Sequence, residues 1–189
     1  RLLDEWQVDL LYTIETHVHA DHVTASGLLR EATNCQFAIA SESNMESADI
    51  ALEEDMALSL GDINIQVLYT PGHTNDSYCL YANDRVFTGD TLLIRRTGRT
   101  DFKHGDAGDQ YDSLFNKLFA LPPETLVYPG HDYEGMTVST LAEEQHYNPR
   151  LQVSSKVEYV ELMNQLNLPK PKLIDIAVPA NLTAGLNFE

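Results

Sequence analysis

Apolar residues in this chain fall mostly into short β-branched runs broken by turn residues. LLYTIET (10–16) has the make-up of a buried strand, and CQFAIA (35–40) repeats that character over a shorter length. In INIQVLY (63–69), Ile63, Ile65, Val67 and Tyr69 take alternate positions, the period of a half-buried strand, before Pro71-Gly72 stops it. SYCLYA and RVFTG flank Asn83-Asp84 and predict a hairpin. TLVYP (125–129) predicts a last short strand. The period changes to helical in SGLLREA, which Thr24 or Ser26 can cap, and in DQYDSLFNKLFA (109–120). There Tyr111, Leu114, Phe115, Leu118 and Phe119 share one face, so these aromatics belong to the core. Two further helices are predicted near 137–147 and 154–166, RLLDEWQ reads as the remnant of another, and the tail with PKPK and AVPANL reads as packed irregular chain. Strands interleaved with helices, with no linker between them, predict one α/β domain over residues 1–189.

The strand pattern gains meaning from the residues at which the strands end. Thr16-His17, Pro71-Gly72-His73, Gly89-Asp90 and Gly130-His131 all sit where a β-rich segment stops. Side chains delivered from the ends of several strands converge on one edge of a sheet, where a rigid scaffold can hold them. THVHADH (16–22) adds His19, Asp21 and His22 to the first of these places. Side chains two apart on extended chain point the same way, so His17 and His19 can face one ion. Imidazoles with a carboxylate suit zinc, iron(II) or manganese, whereas calcium and magnesium favour oxygen donors. Five of the seven histidines lie in these four places; His104 and His146 do not and receive no role.

Composition narrows the partners. With 12 Lys and Arg against 29 Asp and Glu, the formal charge of −17 repels nucleic acid and anionic membranes. No apolar run reaches the roughly 20 residues needed to span a bilayer. Cys35 and Cys79 form no CxxC pair, which excludes a cysteine zinc site, and both read as reduced core thiols in a reducing compartment. The positive charge is uneven: Arg95, Arg96, Arg99 and Lys103 fall within nine residues, either a solvated loop or, given its place just beyond Asp90, a local anion site.

HxHxDH followed by PGHT, TGDT and PGHD resembles the metallo-β-lactamase superfamily, an αββα sandwich of two sheets faced by helices. THVHADHVTASG, TPGHTNDSYCL, FTGDTLLIRRTGRTDF, YPGHDYEGMTVST, EEQHYNPRL and the tail LNLPKPKLIDIAVPANL are similar to its persulfide dioxygenases, so the likeness spans nearly the whole chain from residue 10. The resemblance implies one iron(II) per chain, held by His17, His73 and Asp90, and oxidation of a glutathione-type persulfide by O2 to sulfite with release of the thiol. It leaves His19, Asp21, His22 and His131 as groups that orient the ligands and line the pocket. Arg99, in GRTDF, is the expected carboxylate partner for the thiol; Tyr133 is either a further substrate contact or a packing residue, and Arg150 either a further substrate contact or one half of a structural salt bridge. A sulfurtransferase as persulfide donor, a homodimer, and a bacterial cytoplasm or mitochondrial matrix fit the same picture.

The match departs in places. The family's GCGR reads Arg96-Thr97-Gly98-Arg99 here, and no cysteine comes after PANL. Little chain precedes the first strand, which predicts a sandwich lacking part of its N-terminal sheet. Two other functions stand beside the dioxygenase. One is a glyoxalase II-like thioester hydrolase using two metals; the other is a truncated, non-catalytic metal-binding domain.

Overall fold

A computed structural model of the chain describes residues 1–102 and 104–186. Lys103, expected in the basic cluster, lies outside the described residues. The chain divides into two compact units, residues 1–52 with 169–189, and residues 53–168.

The first unit opens with α1 (Leu2–Trp6), the helix anticipated in RLLDEWQ, and continues through β1 (Tyr12–Ile14), α2 (Ser26–Thr33), β2 (Gln36–Ala40) and β3 (Ile50–Leu52). Its sheet has the order β1-β2-β3 and is parallel throughout, with Thr13 opposite Phe37 and Ile39 opposite Ala51. A parallel pair needs a crossover connection, and α2 supplies it between β1 and β2. Phe37, Ala38, Ile39 and Ala40 are all buried, so β2 reads as a continuous apolar strand. The pattern gave no warning of β3, whose residues lie in the polar stretch SADIALEED.

The second unit is built on a six-stranded mixed sheet. It comprises β4 (Ala57–Leu60), β5 (Ile63–Tyr69), β6 (Tyr78–Ala82), β7 (Arg85–Gly89), β10 (Leu126–Pro129) and β11 (Ser139–Thr140), in the order β11-β10-β7-β6-β5-β4. Between β7 and β10 run a small hairpin, β8 (Leu92–Leu93) with β9 (Arg96–Thr97), and α3 (Ala107–Asp112); α4 (Leu141–Tyr147) and α5 (Lys156–Asn164) come after β11. The predicted β6–β7 hairpin forms, and Asn83 takes the left-handed conformation (φ 56°) that such a turn asks of its residues. The helical segment begun by α3 continues through wider and then tighter turns to Ala120. Leu114 and Leu118 from it join Val86, Leu92, Val127, Leu141 and Tyr159 in one core, each full burial of a Leu or Val contributing about 1.5–3 kcal/mol.

The tail departs from expectation. It is not irregular chain: it forms α6 (Ile174–Asn181) in the first unit, with Pro179 inside the helix. The PKPK and Pro179 signals obscured it, although apolar Ala177 and Ala180 give it a buried face. Both cysteines are buried and free, as expected of core thiols. No helix among the described residues is long and apolar enough to cross a membrane.

Candidate metal centre

In the second unit, two strand ends deliver His73 and Asp90 side by side. After β5, Thr70-Pro71-Gly72 turns the chain so closely over α3 that a Cβ on Gly72 would lie 2.3 Å from that of Gln110, and its φ of 141° also calls for glycine. His73 comes next, buried, and its Nδ1 donates to the carbonyl of Arg99 at 2.8 Å. A carbonyl only accepts, so this bond fixes the tautomer and leaves Nε2 with a lone pair. That Nε2 lies 3.6 Å from Asp90 Oδ2. Asp90 itself comes directly after β7, where Gly89 turns in the left-handed region and accepts from Gly130 N at 2.8 Å. Its second oxygen, Oδ1, accepts from His131 Nδ1 at 2.7 Å. The pocket floor is backbone: a Cβ on Gly98 would fall 1.9 Å from the Asp90 carbonyl oxygen and 3.0 Å from His73 Cγ.

A nitrogen lone pair facing a carboxylate oxygen is two acceptors turned toward each other. Only a cation or a proton reconciles them, and a hydrogen-bonded imidazole beside a carboxylate is the donor set of a divalent transition metal.

The first unit carries its own cluster, in the segment after β1. His17 is buried, with Nδ1 3.1 Å from Thr16 Oγ1. The rings of His17 and His19 stand 4.3 Å apart and those of His19 and His22 4.4 Å. His19 Nε2 meets Glu15 Oε2 at 3.0 Å, while its Nδ1 is buried with no hydrogen-bond partner among the described residues. His22 Nδ1 lies 3.2 Å from Asp21 Oδ1. Burial alone pushes the Glu15 carboxyl upward, but hydrogen bonds from His19, Ser26 and Thr24 outweigh it and hold the group below the usual carboxylate range. The segment is pinned by Asn181 of α6, which donates to the carbonyls of His19 (2.9 Å) and His22 (2.8 Å) and accepts from Thr24 N (2.8 Å).

Within the first unit, His19, Asp21 and His22 together form a candidate metal site. The resemblance drawn from the sequence gave all three a supporting role. Of the triad it named, the first unit carries His17 and the second carries His73 and Asp90.

The other expected residues take several positions. Tyr133 is largely exposed and stacks on His131, ring centroids 5.9 Å apart and planes within 10°. Arg99 is held in a two-point pair by Asp101 (2.6 and 2.7 Å), donates to the Leu168 carbonyl at 3.1 Å, and sits 4.7 Å over Phe102. Its fork already grips a carboxylate of the same chain. Arg150 donates to the Thr97 carbonyl. Three residues went unread in the sequence: Glu15, Asn181, and Glu144, a fully buried carboxylate on Arg95 and Asn148. Glu15 lies only two positions before His17, and a carboxylate so near a histidine cluster was the available signal.

Comparisons with known proteins bear on the fold and the family. Residues 7–131 match the metallo-β-lactamase superfamily. The human protein named persulfide dioxygenase ETHE1, mitochondrial, is 46% identical over 189 residues, covering 98% of this chain and 74% of that protein. The crystal structure of ETHE1 from Myxococcus xanthus superposes with a TM-score of 0.94 at 49% identity, over 97% of this chain and 81% of that one. A probable hydroxyacylglutathione hydrolase of Schizosaccharomyces pombe is 36% identical over 131 residues, 67% of this chain and 50% of that protein. The chain therefore has the metallo-β-lactamase fold and belongs, within that superfamily, to the persulfide dioxygenase family of oxidoreductases.

Proposed function

We propose that this chain holds one iron(II) on His17, His73 and Asp90 and oxidises the persulfide of a glutathione-like thiol with O2. The products are sulfite and the thiol. The stoichiometry closes with one water: the S–S bond breaks, the outer sulfur leaves with three oxygens, four electrons pass to O2, and the inner sulfur takes a proton. The observation that carries the metal assignment is the His73 Nε2 lone pair opposed to Asp90 Oδ2 at 3.6 Å, with Nδ1 tied to a backbone carbonyl. Two histidines and one carboxylate leave coordination positions open, and iron(II) bound there supplies the redox chemistry that O2 requires and zinc lacks.

The remaining residues divide the work. Arg99 holds His73 in place through its carbonyl. His131 holds one oxygen of Asp90 so that the other faces His73. Tyr133, stacked on His131, forms a wall beside this group that a substrate can lie against. His19, Asp21 and His22 orient groups around His17. Arg99 and Arg150 are the cations for the thiol's carboxylates, although Arg99 meets a substrate only in competition with Asp101. A sulfurtransferase donor, a homodimer, and a bacterial cytoplasm or mitochondrial matrix belong to the same reading.

A specific observation also supports a second reading. His19, Asp21 and His22 form a second candidate metal site, which suits a two-metal thioester hydrolase. Oxygen uptake by the iron(II)-loaded protein separates the two. Glutathione persulfide should drive rapid uptake with sulfite formed. Silence with persulfide, together with turnover of S-lactoylglutathione, would move the assignment to the hydrolase.

A further inference from the structure

Glu144, on α4, is fully buried, and nothing in the reaction proposed above uses it. Burying a carboxylate is costly unless hydrogen bonds and a counter-charge replace the water it loses. Glu144 has both. Its Oε2 accepts from the backbone N–H of Arg95 at 2.7 Å and from Asn148 Nδ2 at 2.9 Å. Its Oε1 accepts from Ser139 Oγ at 2.7 Å and from the Arg95 guanidinium. Even when satisfied in this way, a buried ion pair often stabilises a fold no more than apolar side chains of the same volume would. Its contribution here is geometric.

The element it fixes is the β8–β9 hairpin. Arg95 stands at the turn in the left-handed conformation (φ 58°), which a residue with a Cβ rarely adopts and keeps only where its surroundings impose it. Glu144 grips this residue by backbone and side chain at once. Asn148, whose amide bonds to Glu144, also donates to the carbonyls of Arg96 (2.8 Å) and Leu93 (3.3 Å), so both strands of the hairpin are seated on the end of α4. From this seat the chain runs into Gly98, which lies against the Asp90 backbone, and Arg99, whose carbonyl accepts from His73 Nδ1 at 2.8 Å. The seat is itself anchored: Leu141 of α4 is in the core, and β11 pairs with β10, the strand that ends before Gly130-His131.

We infer that Glu144 is a positioning residue for His73, acting through the β8–β9 hairpin and the Arg99 carbonyl. Each of its oxygens faces a group of Arg95 that can only donate, the N–H at Oε2 and the guanidinium at Oε1. A glutamine in its place turns an NH2 toward one of them and releases the turn. The Arg99 carbonyl then shifts, and His73 is no longer held in a single tautomer. The consequence for iron rests on the reading of His73 as its ligand; the consequence for the ring does not.

The experiment compares wild type with Glu144→Gln and Glu144→Asp by two readings. One is the ring-nitrogen NMR spectrum of His73 in the metal-free protein with the ring neutral, which separates the Nδ1–H and Nε2–H tautomers. The other is anaerobic titration with iron(II). Wild type should show the Nδ1–H tautomer alone. Glu144→Gln should show both and bind iron(II) about 10–100-fold more weakly, the scale for groups that act through a ligand. Glu144→Asp keeps two accepting oxygens, withdrawn by a methylene, and should fall between. A folded Glu144→Gln with the wild-type tautomer and iron affinity overturns the inference. So does lower stability with an unmoved tautomer, since that describes a carboxylate serving the fold alone. Where neither variant folds, hydrogen exchange on the wild type decides: the Arg95 amide should exchange as slowly as those of β7, and fast exchange there overturns the inference. A tautomer shift in Glu144→Gln, with no iron bound by the wild type, supports the positioning role and removes the iron reading instead.

Discussion

The groups around His73 and around His19 contain the same kinds of side chain and are held in opposite ways. His73, Asp90 and His131 sit at strand ends of the second unit and are fixed by backbone: a carbonyl orients His73, and the Gly89–Gly130 hydrogen bond ties the two strand ends together. His19, Asp21 and His22 lie on a loop of the first unit and depend on side chains, chiefly Glu15 and Asn181. Asp21 and His22 are exposed, whereas His73 is almost wholly buried. Backbone-held ligands lose little entropy when they close on a metal, and burial strengthens the electrostatic pull between them. The first group has the rigidity of a permanent site and the second that of an adjustable one.

Substitution should expose this difference most sharply at the rigid group. His73→Ala and Asp90→Asn should each abolish iron retention and oxygen uptake, read by metal analysis and an oxygen electrode. An equal loss of iron from His22→Ala would break the comparison. Asp21→Asn and His22→Ala should keep about one iron per chain and lower activity roughly 10–100-fold, the usual scale for groups that act through a ligand. Glu15→Gln should have a smaller effect, visible in stability. Because the folded-state pKa of Glu15 is depressed, its carboxylate stabilises the fold above the ordinary value of 4.5, and that contribution is lost as pH falls through the lower, folded value. The gap in urea midpoint between wild type and Glu15→Gln should therefore close between about pH 5 and pH 3. The smallest expected effect is at Cys79, whose thiol is pushed up to about 11 by burial. Iodoacetamide at about pH 8 should leave it unmodified in the native protein, as mass spectrometry would show, because the thiolate is the nucleophile.

The same contrast explains what could be read from sequence. Strand-end side chains announce themselves, since Pro71-Gly72 and Gly89 mark where each strand must turn and the candidate ligand comes next. β5 and the β6–β7 hairpin were legible because alternation and turn chemistry are local. Asn181 was not, because its partners His19 and His22 lie more than 150 positions away. Helix α6 was missed for a related reason: Pro179 argues against a helix locally, and burial of Ala177 and Ala180 overrides it. The state of each arginine was also hidden. The cluster at 95–99 looked like one anion site, yet Glu134, Glu143 and Glu144 engage Arg95 and Arg96, and Asp101 engages Arg99. Arg150, by contrast, donates to the carbonyl of Thr97.

Gly98 divides the arginine loop into freedoms of different kinds. With the Asp90 backbone directly beneath it, position 98 admits no side chain, while positions 95 and 96 on the same loop meet a surface cavity. A library randomised over 95–99 would then recover a single residue at 98 and many at 96. Inheritance can exchange charges along one rim of this loop, while the backbone under the glycine stays outside the reach of point mutation.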